Sequence, residues 1–404
     1  MRKSFSFHCP PVAFAAALLL AGCVATPPPR VALDHLPPSQ VDRATRNLRV
    51  FGAVWSLVND KHFDPKYQGV DWEAAGRKFG PLAAATTDKK GLYAVLNDML
   101  APLHDSHTHA LTPEQASDRH TQSRARTGFN LTRLDGQWAV AEVVPDSPAA
   151  AGGVRPGWLV VARNGKPLGD RNDFRAQDGD VVEWEFLDAQ DHPVKLALTA
   201  RPISTKPRQE VRELAGGFIY LRFDGFDGPD RRWLSEQLKA HRDAPGVMVD
   251  LRQNPGGETI SLGISIGEFF DQSVDCGTFV SRSGSRHVKN SWQLGSAHYA
   301  GRMAILIDGV TASAAEIFSA VLQDHGRATL IGRKSAGAVL ASWFYVLPDG
   351  GELQLSRDDY FSPKGRRLEG HGLEPDVPVK QTLADLRAGR DPDIDAALRT
   401  LRGS

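Results

Sequence analysis

The stretch Ala-Ile-Leu-Ile-Asp-Gly-Val-Thr-Ala-Ser-Ala-Ala-Glu at residues 304–316 decides the fold class of this chain. Its first four residues are all apolar, as in a buried strand, and a turn follows them. Ser313 then opens a segment that reads as a helix as far as Asp324. A buried strand, a turn and a helix in this order predict an α/β core with a serine between strand and helix.

The same alternation of strands and helices extends from about Gly217 to Val379, and some of the strands should be parallel. The strand that precedes 304–316 ends in Asp-Leu-Arg-Gln-Asn-Pro-Gly-Gly at 250–257. Such a turn can direct backbone N–H groups at the carbonyl oxygen of a substrate. Strands are predicted at 218–221, 247–251 and 303–307, and helices at 260–270 and 314–324.

Ser313 is the strongest candidate nucleophile. The free N–H groups and the dipole at the start of a helix stabilise negative charge that develops beside the serine. The alternative is a serine that only caps its helix. A competing string, Gly-Ile-Ser-Ile-Gly at 263–267, matches a nucleophile elbow, but Ser265 lies in an apolar run at helical spacing instead of after a strand.

The segment from about Ser39 to Leu111 has helical periodicity and ends at His-Asp-Ser-His-Thr-His, residues 104–109. His104, His107 and His109 could bind a metal, but no acidic or cysteine partner with zinc-like spacing follows them. Solvated loop histidines are a second alternative. One histidine acting as a general base is favoured, because an imidazole titrates near neutrality.

Short alternating strands with Gly and Pro turns replace the helical pattern from about Thr127 to Pro202. Ser-Pro-Ala-Ala-Ala-Gly at 147–152, Pro-Gly at 156–157 and Asn-Gly at 164–165 resemble a PDZ domain, although Trp158 stands where Asp is usual. The resemblance implies that Gly128 and Phe129 hold the carboxylate of a peptide that adds as a strand.

The N-terminus resembles a bacterial lipoprotein signal. Two basic residues precede an apolar stretch at 12–20, which is too short to span a bilayer, and Leu-Ala-Gly-Cys ends at Cys23. The resemblance implies cleavage before Cys23, lipidation of its thiol, and attachment on the periplasmic side, with the outer membrane preferred because Val24 is not acidic. A plain secretory signal is the alternative. The prolines at 27–29 predict an extended spacer.

Composition narrows the function classes. The 404 residues include 48 basic and 48 acidic residues, so a nucleic-acid binder is not expected. Three cysteines exclude a disulfide scaffold, and Cys276 should be a buried apolar residue. No Walker, dinucleotide-binding or His-Glu-x-x-His string is present, so neither a cofactor nor a metal is predicted.

The motifs together resemble the tail-specific serine peptidases, the carboxyl-terminal processing and Tricorn-like family. The residues that carry the resemblance are 250–257, Thr-Ala-Ser-Ala-Ala-Glu at 311–316, Gly-His-Gly-Leu-Glu-Pro-Asp at 370–376, and Ser106-His107-Thr108. The resemblance implies an α/β fold: a crotonase-like ββα peptidase core with an N-terminal helical domain and an inserted PDZ-like β-rich domain.

Two catalytic designs occur in this family, and the resemblance favours one of them. A lysine base would occupy position 338, where this chain has Ala338, and the only nearby lysine is Lys334. The Tricorn-like design implies a tetrad of Ser313, His107, Ser106 and Glu369. In that design Ser313 attacks, His107 transfers the proton, and Glu369 orients Ser106, which supports the histidine. Ala314 and either Gly256 or Gly257 would supply the oxyanion hole.

The sequence thus predicts a lipid-anchored periplasmic serine endopeptidase that acts on proteins or peptides through an acyl-enzyme. The alternatives are an inactive family member that binds peptides, and a metal-dependent or esterase-type hydrolase. The predicted divisions are a signal peptide (1–22), a Pro-rich linker (23–38), a helical domain (39–118), a PDZ-like domain (124–202), a peptidase core (203–390) and a C-terminal tail (391–404).

Overall fold

The computed structural model describes residues 27–34, 36–169, 174, 176–289, 292 and 297–403. The predicted signal peptide and Cys23 lie outside the described residues. No helix in the described part of the chain is both long enough and apolar enough to cross a membrane. The described residues form a mixed α/β fold with four sheets.

Three helices, α1 (Pro38–Lys61), α2 (Trp72–Ala85) and α3 (Lys89–Leu100), form the predicted N-terminal helical unit. Asp71 and Asp88 cap α2 and α3 by accepting backbone N–H groups of the first turn. The apolar residues at helical spacing pack into one cluster, as predicted from their periodicity. Its buried members include Phe51, Val54, Trp55, Val58, Tyr93, Leu96, Leu100 and Leu103.

The prolines of the predicted spacer lie against this helical unit. Pro28 and Pro29 are half-buried, and a side chain at Gly76 of α2 would place its Cβ 2.8 Å from the ring of Pro29. Gly52 of α1 leaves similar room beside Pro28. Pro28 and Pro29 therefore contact α1 and α2, because the two glycines leave room for the proline rings.

The helical unit is also joined to the rest of the protein. After α3, strand β1 (His109–Leu111) pairs with a strand of the predicted peptidase core, and helix α4 (Pro113–Thr121) follows. Leu347, Leu353 and Leu355 of that core belong to the same hydrophobic cluster as α1 and α3. The shared cluster covers an apolar helix face that three helices alone would leave exposed.

The predicted PDZ-like segment enters and leaves through a two-stranded ribbon of β2 (Ser123–Arg126) and β9 (Arg201–Ser204). Its antiparallel sheet has the order β3-β4-β5-β7-β8, with the two-residue strand β6 paired to β5 and the short helix α5 after β4. Trp158 packs edge-on against Phe186 at 5.7 Å, so the fold accommodates the unusual residue. The elements are β3 (Phe129–Leu134), β4 (Gln137–Val143), α5 (Pro148–Ala151), β5 (Leu159–Arg163), β6 (Lys166–Pro167), β7 (Val181–Leu187) and β8 (Pro193–Thr199).

A six-stranded sheet forms the centre of the protein, in the order β10-β11-β12-β15-β16-β19. All of its strands are parallel except the edge strand β10, which confirms the predicted α/β core with partly parallel strands. The strands are β10 (Gln209–Leu214), β11 (Phe218–Phe223), β12 (Gly246–Asp250), β15 (Arg302–Ile307), β16 (Thr329–Gly332) and β19 (Val377–Pro378).

Both faces of this sheet are covered by helices, as parallel sheets require. One face packs against α6 (Gly228–Ala240), α7 (Thr259–Gly267) and α8 (Ala314–Asp324). The other packs against α10 (Pro392–Arg402), which follows the short helix α9 (Leu383–Arg387). The segment predicted as a C-terminal tail is therefore a helix. Alternate side chains of the central strands form a second apolar face of the sheet, and α10 buries that face.

A second, antiparallel sheet joins strands that the sequence patterns did not resolve. In it β18 (Glu352–Phe361) pairs with β1, with β13 (Asp275–Ser281) and with β17 (Ala341–Val346), and β13 pairs with β14 (Gly284–Lys289). Cys276 of β13 is buried, as predicted. Because β1 pairs with β18, the histidine segment that precedes β1 lies near Ser313, at the carboxyl end of the central strands.

Candidate active site

Ser313 lies between the central strand β15 and helix α8, which places it at the carboxyl end of a parallel sheet, where ligands bind in open α/β folds. Its backbone has φ 54° and ψ −122°, a conformation that costs energy in any residue except glycine. Two hydrogen bonds of its N–H maintain this conformation, one to the carbonyl of Ala338 at 2.7 Å and one to Glu316 Oε2 at 3.2 Å. The turn thus holds the serine in a strained, fixed position.

Glu316 is a buried residue that sequence reasoning did not single out. Its carboxylate accepts the hydroxyl of Ser335 and, at 2.8 Å each, the N–H groups of Gly337 and Ala338. Burial raises the pKa of Glu316, and these hydrogen bonds oppose the increase. The carboxylate therefore fixes the 335–338 loop beside Ser313. A serine followed three residues later by a glutamate is the capping-box pattern that could have predicted the contact with Ser313.

The other three predicted tetrad residues lie together. Ser106 Oγ is 2.6 Å from His107 Nδ1 and 3.0 Å from Glu369 Oε2. Glu369 also accepts the N–H of Ser106 at 2.9 Å and the N–H of Val339 at 2.9 Å. Burial raises the pKa of Glu369, whereas these donors lower it. A hydrogen-bonded line thus joins residues that are 263 positions apart in the chain.

The direction of these hydrogen bonds assigns the imidazole tautomer. An ionised carboxylate only accepts hydrogen bonds, so the hydroxyl of Ser106 donates to Glu369. The oxygen of Ser106 is then left to accept the Nδ1–H of His107. The unprotonated nitrogen of His107 is therefore Nε2, which can accept a proton.

His107 and Ser313 line one cleft, with a volume of about 1010 Å³, and Gly256, Gly257 and Ala314 line it as well. Burial lowers the pKa of His107, and the nearby Asp105 carboxylate opposes this effect. The structure thus brings the predicted nucleophile, base and oxyanion-hole residues to the same cavity.

Asp105 supports the loop that carries His107, and the sequence did not reveal this role. Its Oδ1 accepts the N–H groups of His107 at 3.1 Å and Thr108 at 2.6 Å, and the hydroxyl of Ser356 at 3.0 Å. Its Oδ2 lies 2.9 Å from Nε2 of His62, and both side chains are fully buried. Asp105 therefore ties the histidine loop to helix α1 and to strand β18.

The glycine turn after β12 approaches Ser313 closely. A Cβ at Gly256, which has φ +102°, would lie 2.7 Å from Ser313 Cβ, so only glycine fits there. The N–H of Gly256 already donates to Asn254 Oδ1 at 2.8 Å. In the part of the chain that the structure describes, neither the N–H of Gly257 nor that of Ala314 has a hydrogen-bond acceptor. These two N–H groups are free to bind a substrate oxygen.

Comparison with protein families gives two matches. Residues 217–379, which hold the central sheet and Ser313, match the model of peptidase family S41, and residues 46–101 match the Tricorn protease C1 domain. Residues 217–379 form a peptidase family S41 domain. The chain is a serine-type peptidase. Both predictions from the sequence motifs, the family and the enzyme class, are thereby confirmed.

Individual relatives of this S41 peptidase cover most of its length. It is 26% identical over 369 residues to a carboxyl-terminal-processing protease of Synechocystis, an alignment that covers 86% of this chain and 85% of the relative. It is 27% identical over 330 residues to a carboxy-terminal-processing protease of Bartonella bacilliformis, covering 75% and 73%.

Solved structures agree with the fold. The photosystem II D1 C-terminal processing protease superposes with a TM-score of 0.61 at 20% identity, over 88% of this chain and 97% of the other. Mature CPAF superposes with a TM-score of 0.66 at 12% identity, over 89% and 98%.

Three competing candidates of this S41 peptidase, Ser265, Lys334 and His104, lie outside the cleft. Ser265 is buried inside α7 and is only 1% exposed. The Nζ of Lys334 forms an ion pair with Glu374 at 2.7 Å, and its side chain is 56% exposed. His104 is exposed, whereas His109 lines the cleft. Among the described residues, no group of three His, Cys, Asp or Glu side chains is placed to bind a metal.

The predicted peptide-binding residues lie at the edge of the β3–β8 sheet. Phe129 begins β3, an edge strand that pairs only with β4 among the described strands. Gly128, with φ +98°, packs so tightly on Ser147 that a Cβ would lie 2.1 Å from that side chain. Both residues line a groove of about 520 Å³ that also contains Trp184.

Proposed function

We propose that this S41 peptidase is an endopeptidase that cleaves polypeptides through an acyl-enzyme, with Ser313, His107, Ser106 and Glu369 as its tetrad. The observation that carries the proposal is the hydrogen-bonded line from Glu369 through Ser106 to His107, in the cleft that Ser313 also lines. A histidine whose other nitrogen is fixed in this way is the usual partner of a serine nucleophile.

In the proposed mechanism Ser313 Oγ attacks the peptide carbonyl while His107 Nε2 takes its proton. The N–H groups of Gly257 and Ala314 stabilise the oxyanion, since the N–H of Gly256 is bound to Asn254. His107 then donates the proton to the leaving amine, and the acyl group stays on Ser313. Water, deprotonated by His107, hydrolyses this ester and frees the serine.

A fluorophosphonate, which reacts only with an activated serine, tests this proposal. We expect a single adduct on Ser313 and a parallel loss of peptide hydrolysis. A chain that binds peptides but forms no adduct would instead be an inactive, peptide-binding member of the family.

The base is tested by the pH dependence of kcat/KM. Burial lowers the pKa of His107 below the ordinary 6.5, and the base must be unprotonated, so activity should rise with pH along one acidic limb below pH 6.5. Lys334→Ala should keep most of the activity, because Nζ binds Glu374 and a lysine base would need its pKa lowered from about 10.4. A limb at about pH 8 or above, with an inactive Lys334→Ala variant, would identify a lysine base instead.

We further propose that the core has the crotonase-like arrangement and that residues 124–202 are a PDZ domain that selects substrates by their C-termini. The support is the edge strand β3, which begins beside the tight turn at Gly128. We expect Gly128→Ala to lower kcat/KM for long substrates more than for short amidated peptides. Gly136→Ala is the control, because Gly136 also has a positive φ but nothing lies near it. Equal losses on both kinds of substrate with Gly128→Ala would contradict the proposal.

Lipid anchoring through Cys23 and a periplasmic location also belong to the proposed function, and the lipobox-like string at 20–23 supports them. Several acyl chains bind a membrane more firmly than the single chain that gives only marginal attachment. The native protein should therefore sediment with membranes and Cys23→Ala should not, whereas the buried Cys276→Ala should behave like the native chain. Native protein in a membrane-free periplasmic extract would overturn this part.

A further inference from the structure

A buried carboxylate in the C-terminal helix binds two arginines that lie at the carboxyl ends of the central strands. Asp393, in the first turn of α10, is 0% exposed. Its Oδ1 accepts Arg333 Nη1 at 2.9 Å, and its Oδ2 accepts Arg333 Nη2 at 2.8 Å and Arg252 Nη1 at 2.9 Å. A paired, fork-like contact of this kind fixes the guanidinium of Arg333 in direction as well as in position.

Each of the two arginines begins a loop that borders Ser313. Arg252 follows strand β12 and starts the segment that ends in Gly257, whose N–H has no acceptor among the described residues. Arg333 follows strand β16 and starts the loop to Ala338, whose carbonyl accepts the N–H of Ser313. One carboxylate thus contacts the first residues of two loops that both lie against Ser313.

The helix that carries Asp393 is itself held firmly. Asp391 caps α10 and also binds Arg252, with Oδ2 2.8 Å from Nη2. Ala396, Ala397 and Leu401 are buried against the central sheet. Since the helix is anchored by its cap and its apolar face, Asp393 is a fixed point relative to the sheet.

We infer that Asp393 is a positioning residue for catalysis, through which the C-terminal helix sets the distance between the oxyanion donors and Ser313. The inference rests on the proposed function. It makes the position of α10 a further condition for activity, in addition to the four tetrad residues. A buried ion pair is by itself weak evidence of a contribution to stability. A displacement of about 1 Å in a catalytic geometry, however, costs about 100-fold in rate.

Asp393→Asn tests the inference, because it replaces one acceptor oxygen by an N–H donor that cannot bind an arginine. Asp395→Asn is the matched control, since Asp395 lies in the same first turn but is exposed. We expect Asp393→Asn to lower kcat about 10- to 100-fold with KM nearly unchanged. The affinity for a peptide boronate, which mimics the tetrahedral intermediate, should fall by a similar factor, whereas that for the product peptide should not. Asp395→Asn should match the native protein in all three measurements.

Arg333→Gln is the second variant and decides the question if Asp393→Asn fails to fold. Arg333 is 30% exposed, so the fold should tolerate its loss, and the variant releases only the 333–338 loop from Asp393. We expect the same pattern with a smaller loss of kcat. If folded Arg333→Gln and Asp393→Asn kept native kcat and boronate affinity, the inference would be wrong. A native protein that neither hydrolyses peptides nor binds the boronate would instead refute the proposed function.

Discussion

Ser313→Ala is expected to lower kcat for peptide hydrolysis by on the order of 10⁶-fold, because no acyl-enzyme can form without the hydroxyl. The fold should persist. The bonds that hold the turn come from the backbone N–H of residue 313, to Ala338 and Glu316, and alanine keeps them. Its free energy of unfolding should therefore change by no more than about 1 kcal/mol. Turnover of a peptide by the purified variant, measured beside its thermal unfolding, checks both expectations.

Ser265→Ala is the control for this loss. Ser265 lies in the Gly-x-Ser-x-Gly string, and its buried hydroxyl has no hydrogen-bond partner among the described residues. Removing an unpaired buried hydroxyl should leave activity within about twofold and should not destabilise the protein. Substantial turnover by folded Ser313→Ala, or a large loss with folded Ser265→Ala, would move the nucleophile to another serine.

His107→Ala is expected to lower kcat by at least about 10³-fold, because Ser313 then loses the group that takes its proton. The loss should not depend strongly on the substrate, since the base acts on the nucleophile of the enzyme. Steady-state kinetics on two unrelated peptides checks this expectation. His104→Asn is the control, because His104 is exposed three residues away and asparagine tolerates its positive φ of 48°.

Glu369→Gln should lower kcat by less than His107→Ala does and by more than His104→Asn does. Its side chain binds Ser106 and the N–H of Val339, so it acts on the proton only through Ser106 and His107. An amide keeps one acceptor oxygen and therefore part of this arrangement. A His107→Ala variant as active as His104→Asn would contradict the assignment of the base.

Several parts of this protein could be predicted because the physics behind them is local. The turn between β15 and α8 depends on a short apolar strand and on a helix start within about ten residues, and both are visible in 304–316. Helical periodicity likewise predicted the buried face of α1, because side chains three and four positions apart share one side of a helix. The four proposed catalytic residues came from a resemblance of motifs.

The sequence by itself therefore determined the α/β class, the helical N-terminal unit, the peptidase family and the serine at the start of α8. Only the tertiary structure decided which distant residues meet: Glu369 with Ser106, Asp105 with His62, and Asp393 with two arginines. Among the described residues, it also decided that the N–H of Gly256 has an acceptor and that of Gly257 has none, because the side chain of Asn254 accepts the N–H two residues ahead of it. Periodicity and capping act within a few turns of chain, whereas these contacts depend on how the two sheets and α10 pack. Packing is set by the shapes of surfaces far apart in the sequence, which no local pattern records.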